Sequence, residues 1–315
     1  MLIRLVASRI VISLFSLLVV SWAIFWAVEW LPGDTAARVL GREASAESVR
    51  VLRARLHLAD PPLVRYGHWL EHFVQGDWGE SLAADRPVVR YVFPRLRNTL
   101  ILAGLALGLY LILSLTIGVV TALFHGQVLD TWLSVLTLVG MSMPEFVVGI
   151  LLVLVFAVAV PLFPPLALMD QVKTFPGLLY TLSLPILTLT AAMTAYAVRM
   201  MRDNLIEVLE SDYVQMATLK GLPRVRVVLR HALPNALGPA LNVTALNIAW
   251  LMGGVVVVET VFNFPGLGRL LVDSISFHDV PVIEAIAVVL ASVYMLANLV
   301  ADVLVLVLNP RLRAS

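Results

Sequence analysis

The chain is 315 residues long, 60% hydrophobic and only 14% charged, with a net charge of +1. Soluble domains carry about 25% charged residues, so a soluble globule is excluded and the chain reads as an integral membrane protein. It has no cysteine, which removes disulfides, thiolate metal sites and cysteine nucleophiles, and its net charge offers no argument for a nucleic-acid partner.

Residues 10–28 are nineteen positions without a charge, preceded by Arg4 and Arg9. A run of about 20 apolar residues crosses the hydrocarbon core. This one is long for a signal peptide and no small-residue cleavage site follows, so it is the first predicted transmembrane helix, in a segment 1–31. Residues 32–98 are polar and mixed. A short helix over Ser45–Leu56 puts Val49, Leu52 and Leu56 on one face, and Asp60, Pro61 and Pro62 break it. Leu63, Tyr66, Leu70, Phe73 and Val74 mark a second amphipathic helix, and Gly76, Asp77, Trp78 and Gly79 turn the chain. This is a small helical extramembrane subdomain, too large for a plain loop.

Residues 99–310 hold the remaining apolar runs. Helix two is expected over Thr99–Phe124. Helix three covers Thr131–Val160, broken by Pro144 and carrying Glu145. Helix four runs over Leu178–Met200 and on through Leu209 as a charged extension. Helix five is Gly238–Val258, with Asn242 and Asn247; a loop over 259–281 holds FNFPGLGR; helix six is Val282–Leu308, with Glu284, Asn298 and Asp302. Residues 311–315 form a short tail. The fold class is all-α, with six transmembrane helices.

Within a connecting loop 202–237, the stretch Asp212–Leu237 is the longest charged, break-rich segment of the second half. Asp212 is placed as an N-cap with Gln215 completing a capping box. Gly221 can take the left-handed conformation that ends a helix, and Pro223 suits the first position of the next. Pro234 and Asn235 interrupt that second, basic helix, which holds Arg224, Arg226, Arg230 and His231. Tyr213, Met216 and Ala217 share a face, with Lys220 one turn on. Two readings are open from pattern: a solvated connection between spans, or a docking element for a soluble partner.

Six spans place both termini on one side. Arg4, Arg9, Arg199, Arg202, Lys220, Arg224, Arg226, Arg230, Arg311 and Arg313 would make that side basic, hence cytoplasmic. The large first loop holds ten arginines of its own, which opposes a naive count. The charge rule weakens beyond about 60 residues, so charge alone leaves the orientation open. The two lysines, Lys173 and Lys220, lie outside any G-x-x-x-x-G-K-[ST] pattern, so this chain holds no P-loop for ATP.

Several stretches then resemble the permease subunits of binding-protein-dependent ABC importers, in the dipeptide, oligopeptide and nickel branch. They are LPGD at Leu31 to Asp34, GDWGES at Gly76 to Ser81, SMPEF at Ser142 to Phe146, ETVFNFPGLG at Glu259 to Gly268 and NPRLR at Asn309 to Arg313. The family's motif E-A-A-x-x-x-G-x9-I-x-L-P is matched by Ala217, Gly221, Leu233 and Pro234, with Gln215 and Met216 in the first two positions and His231 in place of isoleucine.

The resemblance implies the type I importer permease fold and a bacterial inner-membrane location with cytoplasmic termini. It also implies a transport subunit with no catalytic residues and no cofactor of its own, ATP and Mg acting in partner chains. Those partners would be a second permease, two ATP-binding subunits and a solute-binding protein, within membrane lipid. Asp212, Tyr213, Gln215, Met216, Ala217, Lys220, Gly221, Leu222, Leu233 and Pro234 would couple to an ATPase. Residues 32–98 and 259–281, with Asp77, Trp78, Phe264, Pro265 and Gly266, would face the binding protein.

Glu145 is costly at membrane depth, roughly 2.5–3.5 kcal/mol on insertion scales, so a cavity or a partner should meet it. It either lines the pathway beside Met143 and meets a cationic substrate group, or it pairs with backbone freed by Pro144 or with the second permease. Asn242 and Asn247 either line the pathway or bond between helices. His68 and His72 have metal-compatible i, i+4 spacing but no carboxylate cluster beside them, so no metal site is assigned. Trp22, Trp26 and Trp30 suit an interfacial belt. The expected function is import of dipeptides or short oligopeptides, with nickel as the alternative. An ion-coupled secondary transporter would need ionisable residues along the bundle and usually an inverted repeat. An intramembrane hydrolase would need a Ser/His or paired-Asp site at membrane depth.

Overall fold

A computed structural model describes residues 2–30, 47, 50 and 60–308. Of the expected helix Ser45–Leu56 only Glu47 and Arg50 are described, both helical. Leu31 to Asp34, His57 and the segment 309–315 lie outside the described residues.

The chain is almost entirely helical. Helix α1 is Leu2–Glu29, α2 is Pro62–Val74, and a two-stranded antiparallel hairpin joins β1 (Glu80–Ser81) to β2 (Arg86–Pro87). Then come α3 (Val88–Leu123), α4 (Val128–Ser142), α5 (Glu145–Val153), α6 (Phe175–Thr181), α7 (Ser183–Leu209), α8 (Asp212–Leu219), α9 (Arg224–Arg226), α10 (Leu233–Val261), α11 (Leu267–Ser276) and α12 (Val280–Leu308). Five helical runs are long and apolar enough to span a membrane: Ala7–Ala27, Val88–Leu123, Ser183–Leu209, Arg224–Val261 and Val280–Val303. A sixth exists if the pair Val128–Ser142 and Glu145–Ala159 is one span, and that pair is bent by 111°. Pro144 therefore does more than kink helix three. Its ψ of 143° is extended, so it ends α4 and starts α5 in a new direction.

Other boundaries move for physical reasons. Helix two begins at Val88, eleven residues before Thr99, and runs through Pro94. The expected division at 98/99 thus falls inside a helix. The described residues instead form two compact units, one centred on Leu100–Phe264 and one combining Arg4–Thr99 with Pro265–Met295.

In the second unit the Asp279 carboxylate accepts from Ser81 Oγ at 2.5 Å, Leu82 N at 3.0 Å and Ala83 N at 3.3 Å. Asn98 Nδ2 donates to the Pro265 carbonyl at 2.8 Å, and Leu267 N to Thr99 Oγ1 at 2.8 Å. Val88, Val92, Leu267, Leu270, Val282 and Ile286 form its buried core. A ladder of stacked rings, Tyr66, Trp69, Phe73, Trp78 and Phe93, carries α2 onto this core. Arg65 pairs with Glu29, tying α2 to the end of α1.

The first unit packs α7 centrally, with Leu189, Met193, Leu251, Val258 and Phe262 among its buried side chains. Tyr110, fully buried, shares its hydroxyl with Thr244 Oγ1 at 3.2 Å and receives Asn247 Nδ2 at 3.0 Å.

Candidate functional site

The segment after α7 folds into a short surface helix, but its cap differs from the expected one. Ser211, not Asp212, is the N-cap residue, with φ −69° and ψ 147°. Only Glu210 and Ser211 separate α7 from α8, so the chain must turn there. Ser211 Oγ donates back to the Val208 carbonyl at 2.5 Å and does not cap. Gln215 Nε2 donates to the Glu210 carbonyl at 2.9 Å, so no capping box forms with Asp212. Asp212 lies in the first turn, where its charge complements the helix N-terminus.

The C-terminus follows the expectation. Gly221 has φ +78°, its N–H reaches the Thr218 carbonyl at 2.9 Å, and Leu222 N–H reaches Ala217 at 3.4 Å. These two bonds make a Schellman motif, and Leu222 packs in the same apolar cluster as Ala217.

The faces of α8 correct the grouping of Tyr213, Met216 and Ala217. Val214 and Ala217 are 2% and 8% exposed and insert among Ala122, Met201, Leu205, Val227 and Ala232. Tyr213, Met216 and Leu219 are exposed, as are Asp212, Gln215 and Lys220. The helix is therefore anchored by one narrow stripe, and its exposed face mixes Met216 and Leu219 with the polar side chains. Tyr213 hydroxyl donates to the His231 carbonyl at 3.3 Å, joining α8 to the next helix. Leu233 packs partly in the same cluster, while Pro234 is exposed.

Two expectations about that next helix are corrected. Pro223 is the N-cap, with ψ 140°, and not the first helical residue. Pro234 does not interrupt the helix. A π turn over Val227–Ala232 precedes it, and one helical run continues from Arg224 to Val261. A proline ring clashes with the carbonyl four residues back, and a widened turn relieves that contact. Beside it lies an apolar groove of ≈ 340 Å³, lined by Val119, Leu123, Phe124, Arg224, Val225 and Leu229 among others.

A second feature of the same unit is a cavity of ≈ 630 Å³. Its lining includes Met143 and Glu145 from the α4–α5 break, Tyr196 from α7, and Asn247, Trp250, Gly253 and Gly254 from α10. Three of the four candidate pathway residues are thus brought together. Asn242 is exposed and does not line it. Asn247 also bonds between helices, through Tyr110 and through the Met193 carbonyl at 3.3 Å, so its two readings coexist. Glu145 Oε2 is buried, with no hydrogen-bond partner among the described residues.

The candidate surface residues of the second unit divide. Asp77 is exposed, while Trp78 is half-buried, stacked between Phe73 and Phe93, and donates to the Phe73 carbonyl at 3.1 Å. Pro265 is half-buried and Gly266 buried as the N-cap of α11. Phe264, in the other unit, has no exposed surface and sits in the core, so it cannot present itself to a partner. His72 Nδ1 lies 3.4 Å from Asp77 Oδ2, and no metal-binding cluster of three ligands occurs among the described residues.

Sequence reasoning missed one ionic cluster. Arg202 on α7 binds Asp130 on α4 through two bonds of 2.7 Å, and Asp130 also accepts from Gly126 N at 3.0 Å. Arg202 reaches His125 Nδ1 at 2.9 Å and Asp203 at 2.9 Å. The partners are 72 residues apart, so spacing gave no signal beyond two charges flanking apolar runs.

Helices long and apolar enough to span a bilayer, with a cavity between helices and an anchored surface helix, define a polytopic membrane protein. Residues 1–116 match the family described as "Binding-prot-dependent transport system membrane comp, N-term", and residues 114–314 that described as "Binding-protein-dependent transport system inner membrane component". Over 308 residues, 98% of each chain, the sequence is 36% identical to the glutathione transport system permease protein GsiC of Salmonella typhimurium, and equally to GsiC of Escherichia coli and of Shigella dysenteriae. The chain belongs to the binding-protein-dependent ABC importer permeases of the peptide/nickel family. It is a multi-pass inner-membrane transport subunit of type I permease fold, acting with other subunits, and is not itself an enzyme.

Proposed function

We propose that this permease imports dipeptides or short oligopeptides, including tripeptides of the glutathione type, delivered by a solute-binding protein. Two ATP-binding subunits and a second permease complete the assembly, with Mg-ATP bound only in the ATPases. The termini and α8 face the cytoplasm; the residues between α1 and α3 and those around α11 face outward. Helix α8 is the coupling helix, seated in a groove of the ATPase in the helix-in-groove mode. Gly221 fixes its end. Tyr213, Met216 and Lys220 make the contact, while Ala217, Leu222 and Leu233 hold it to the permease. Met143, Glu145 and Asn247 belong to the pathway.

The observation that carries this reading is α8 itself. It is eight residues long, fastened by Val214 and Ala217, with Met216 54% and Leu219 81% exposed. Apolar side chains displayed on a short helix with a fixed C-terminal end suit a partner's groove. Glutathione is a tripeptide, and the relatives named for its transport favour the peptide branch. The test is reconstitution in proteoliposomes with the co-encoded ATPases, second permease and binding protein. ATP-dependent uptake of labelled dialanine or glutathione is expected. Uptake by the isolated chain on an ion gradient, with no ATP requirement, would overturn the proposal.

A further inference from the structure

The cavity at the α4–α5 break has an unusual charge inventory. Glu145 is its one carboxylate, and no lysine or arginine is among its lining residues. An unpaired carboxylate within a spanning segment is tolerated where it meets water, a cation or a partner. Here Oε2 has no hydrogen-bond donor from the described residues. Gly254 is shaped around it: a Cβ there would lie 2.7 Å from Glu145 Oε2 and 3.3 Å from the Trp250 ring. The carboxylate and the indole therefore meet at one glycine, whose missing side chain leaves Glu145 Oε2 the room it occupies. Trp250 and Tyr196, 44% and 45% exposed, line the same cavity as the acid.

A carboxylate beside aromatic rings suits an organic ammonium. The rings add a cation–π attraction, and the acid supplies the counter-charge and acceptor. A divalent metal fits poorly, because hard cations take six or more oxygen ligands and the lining holds one acid. We propose that Glu145, with Trp250 and Tyr196, is a subsite for a primary ammonium group, the free amino terminus of the passing solute. This rests on reading the cavity as part of the transport pathway. It adds a selectivity step inside the permease: amine-bearing solutes are favoured over their N-acylated forms.

The absence of cysteine makes a direct test available in the full membrane-embedded transporter. Met143→Cys, or Met141→Cys if the first folds poorly, places one thiol of this chain at the cavity. Its modification is timed with methanethiosulfonate ethylammonium and with the ethylsulfonate analogue, and compared with free cysteine. The cation-to-anion rate ratio should exceed that of free cysteine by at least about tenfold, since a cleft of one sign concentrates counter-ions. Glu145→Gln should abolish the excess. Dialanine should protect the thiol, and N-acetyl-dialanine should not. A thiol inert to both reagents at both positions overturns the pathway reading itself. A reactive thiol whose ratio is the same with Glu145→Gln leaves the pathway reading standing and overturns the ammonium subsite, as does equal protection by both peptides or by neither.

Discussion

Replacing Gly221 isolates the geometry on which the coupling assignment depends. Its φ is +78°, and a Cβ built there would meet nothing within 4 Å. A side chain is therefore opposed by its own backbone and not by a neighbour. The left-handed conformation costs an ordinary L-residue about 1–2 kcal/mol. A β-branched residue costs more. A loss of one to two kcal/mol lowers the ordered population by a factor of about 5–30. The Schellman bonds from Gly221 and Leu222 would open, and Leu222 would leave the cluster it shares with Ala217.

The assay is uptake per ATP hydrolysed in proteoliposomes, with membrane insertion checked in parallel. Activity should fall in the order glycine, asparagine, alanine, valine, because asparagine visits the left-handed region most readily after glycine. Gly221→Val should reach the membrane, yet lose transport while uncoupled hydrolysis persists. Coupling unchanged in Gly221→Val would refute the argument. So would an equal defect in Gly221→Asn, because contact chemistry and not backbone geometry would then be responsible.

Arg202→Met removes both guanidinium bonds from the Asp130 carboxylate, which is 4% exposed and keeps Gly126 N, Ser134 Oγ and His125, and should cost about 1.5–3 kcal/mol; a lowered Tm in detergent, partly restored by adding Asp130→Asn, checks this. Gly118→Ala brings a Cβ to 2.7 Å from Met201 Cβ and 3.2 Å from the Val198 carbonyl. Spreading α3 from α7 should cost about 1–3 kcal/mol, visible as early loss of the monodisperse peak on heating. Asp279→Asn weakens three hydrogen bonds to Ser81, Leu82 and Ala83, at about 1.5–3 kcal/mol for charged acceptors. Limited proteolysis should then cut within residues 81–85, where the native chain resists.

The spans were legible because a bilayer sets length and polarity locally, run by run. Gly221 was legible because few residues other than glycine take that conformation readily. The cap was displaced by one position because Ser211 and Asp212 are both good cap residues, and the end of α7 at Leu209 decides between them. Pro144 announced a break but not its angle, which depends on what α5 packs against. Phe264 lies in a turn-rich string that reads as surface. Its N–H instead returns to the Glu259 carbonyl at 2.9 Å and its ring is fully enclosed. Such burial is decided by distant helices. The Arg202–Asp130 pair and the Glu145 cavity are likewise products of helices meeting, which no single window of sequence contains.

The π turn at Val227–Ala232 has a consequence for phase. An α-helix advances about 100° per residue, and a wide turn takes up one extra residue without advancing the face beyond it. Counted by ordinary periodicity from Arg224, the wall of Asn247, Trp250 and Gly254 would point about one residue's rotation away from where it does. A relative lacking one residue between 227 and 232 would need only to close the wide turn to keep that wall in place. A single-residue gap in an alignment there is thus a change of pitch, and the residues on either side still correspond.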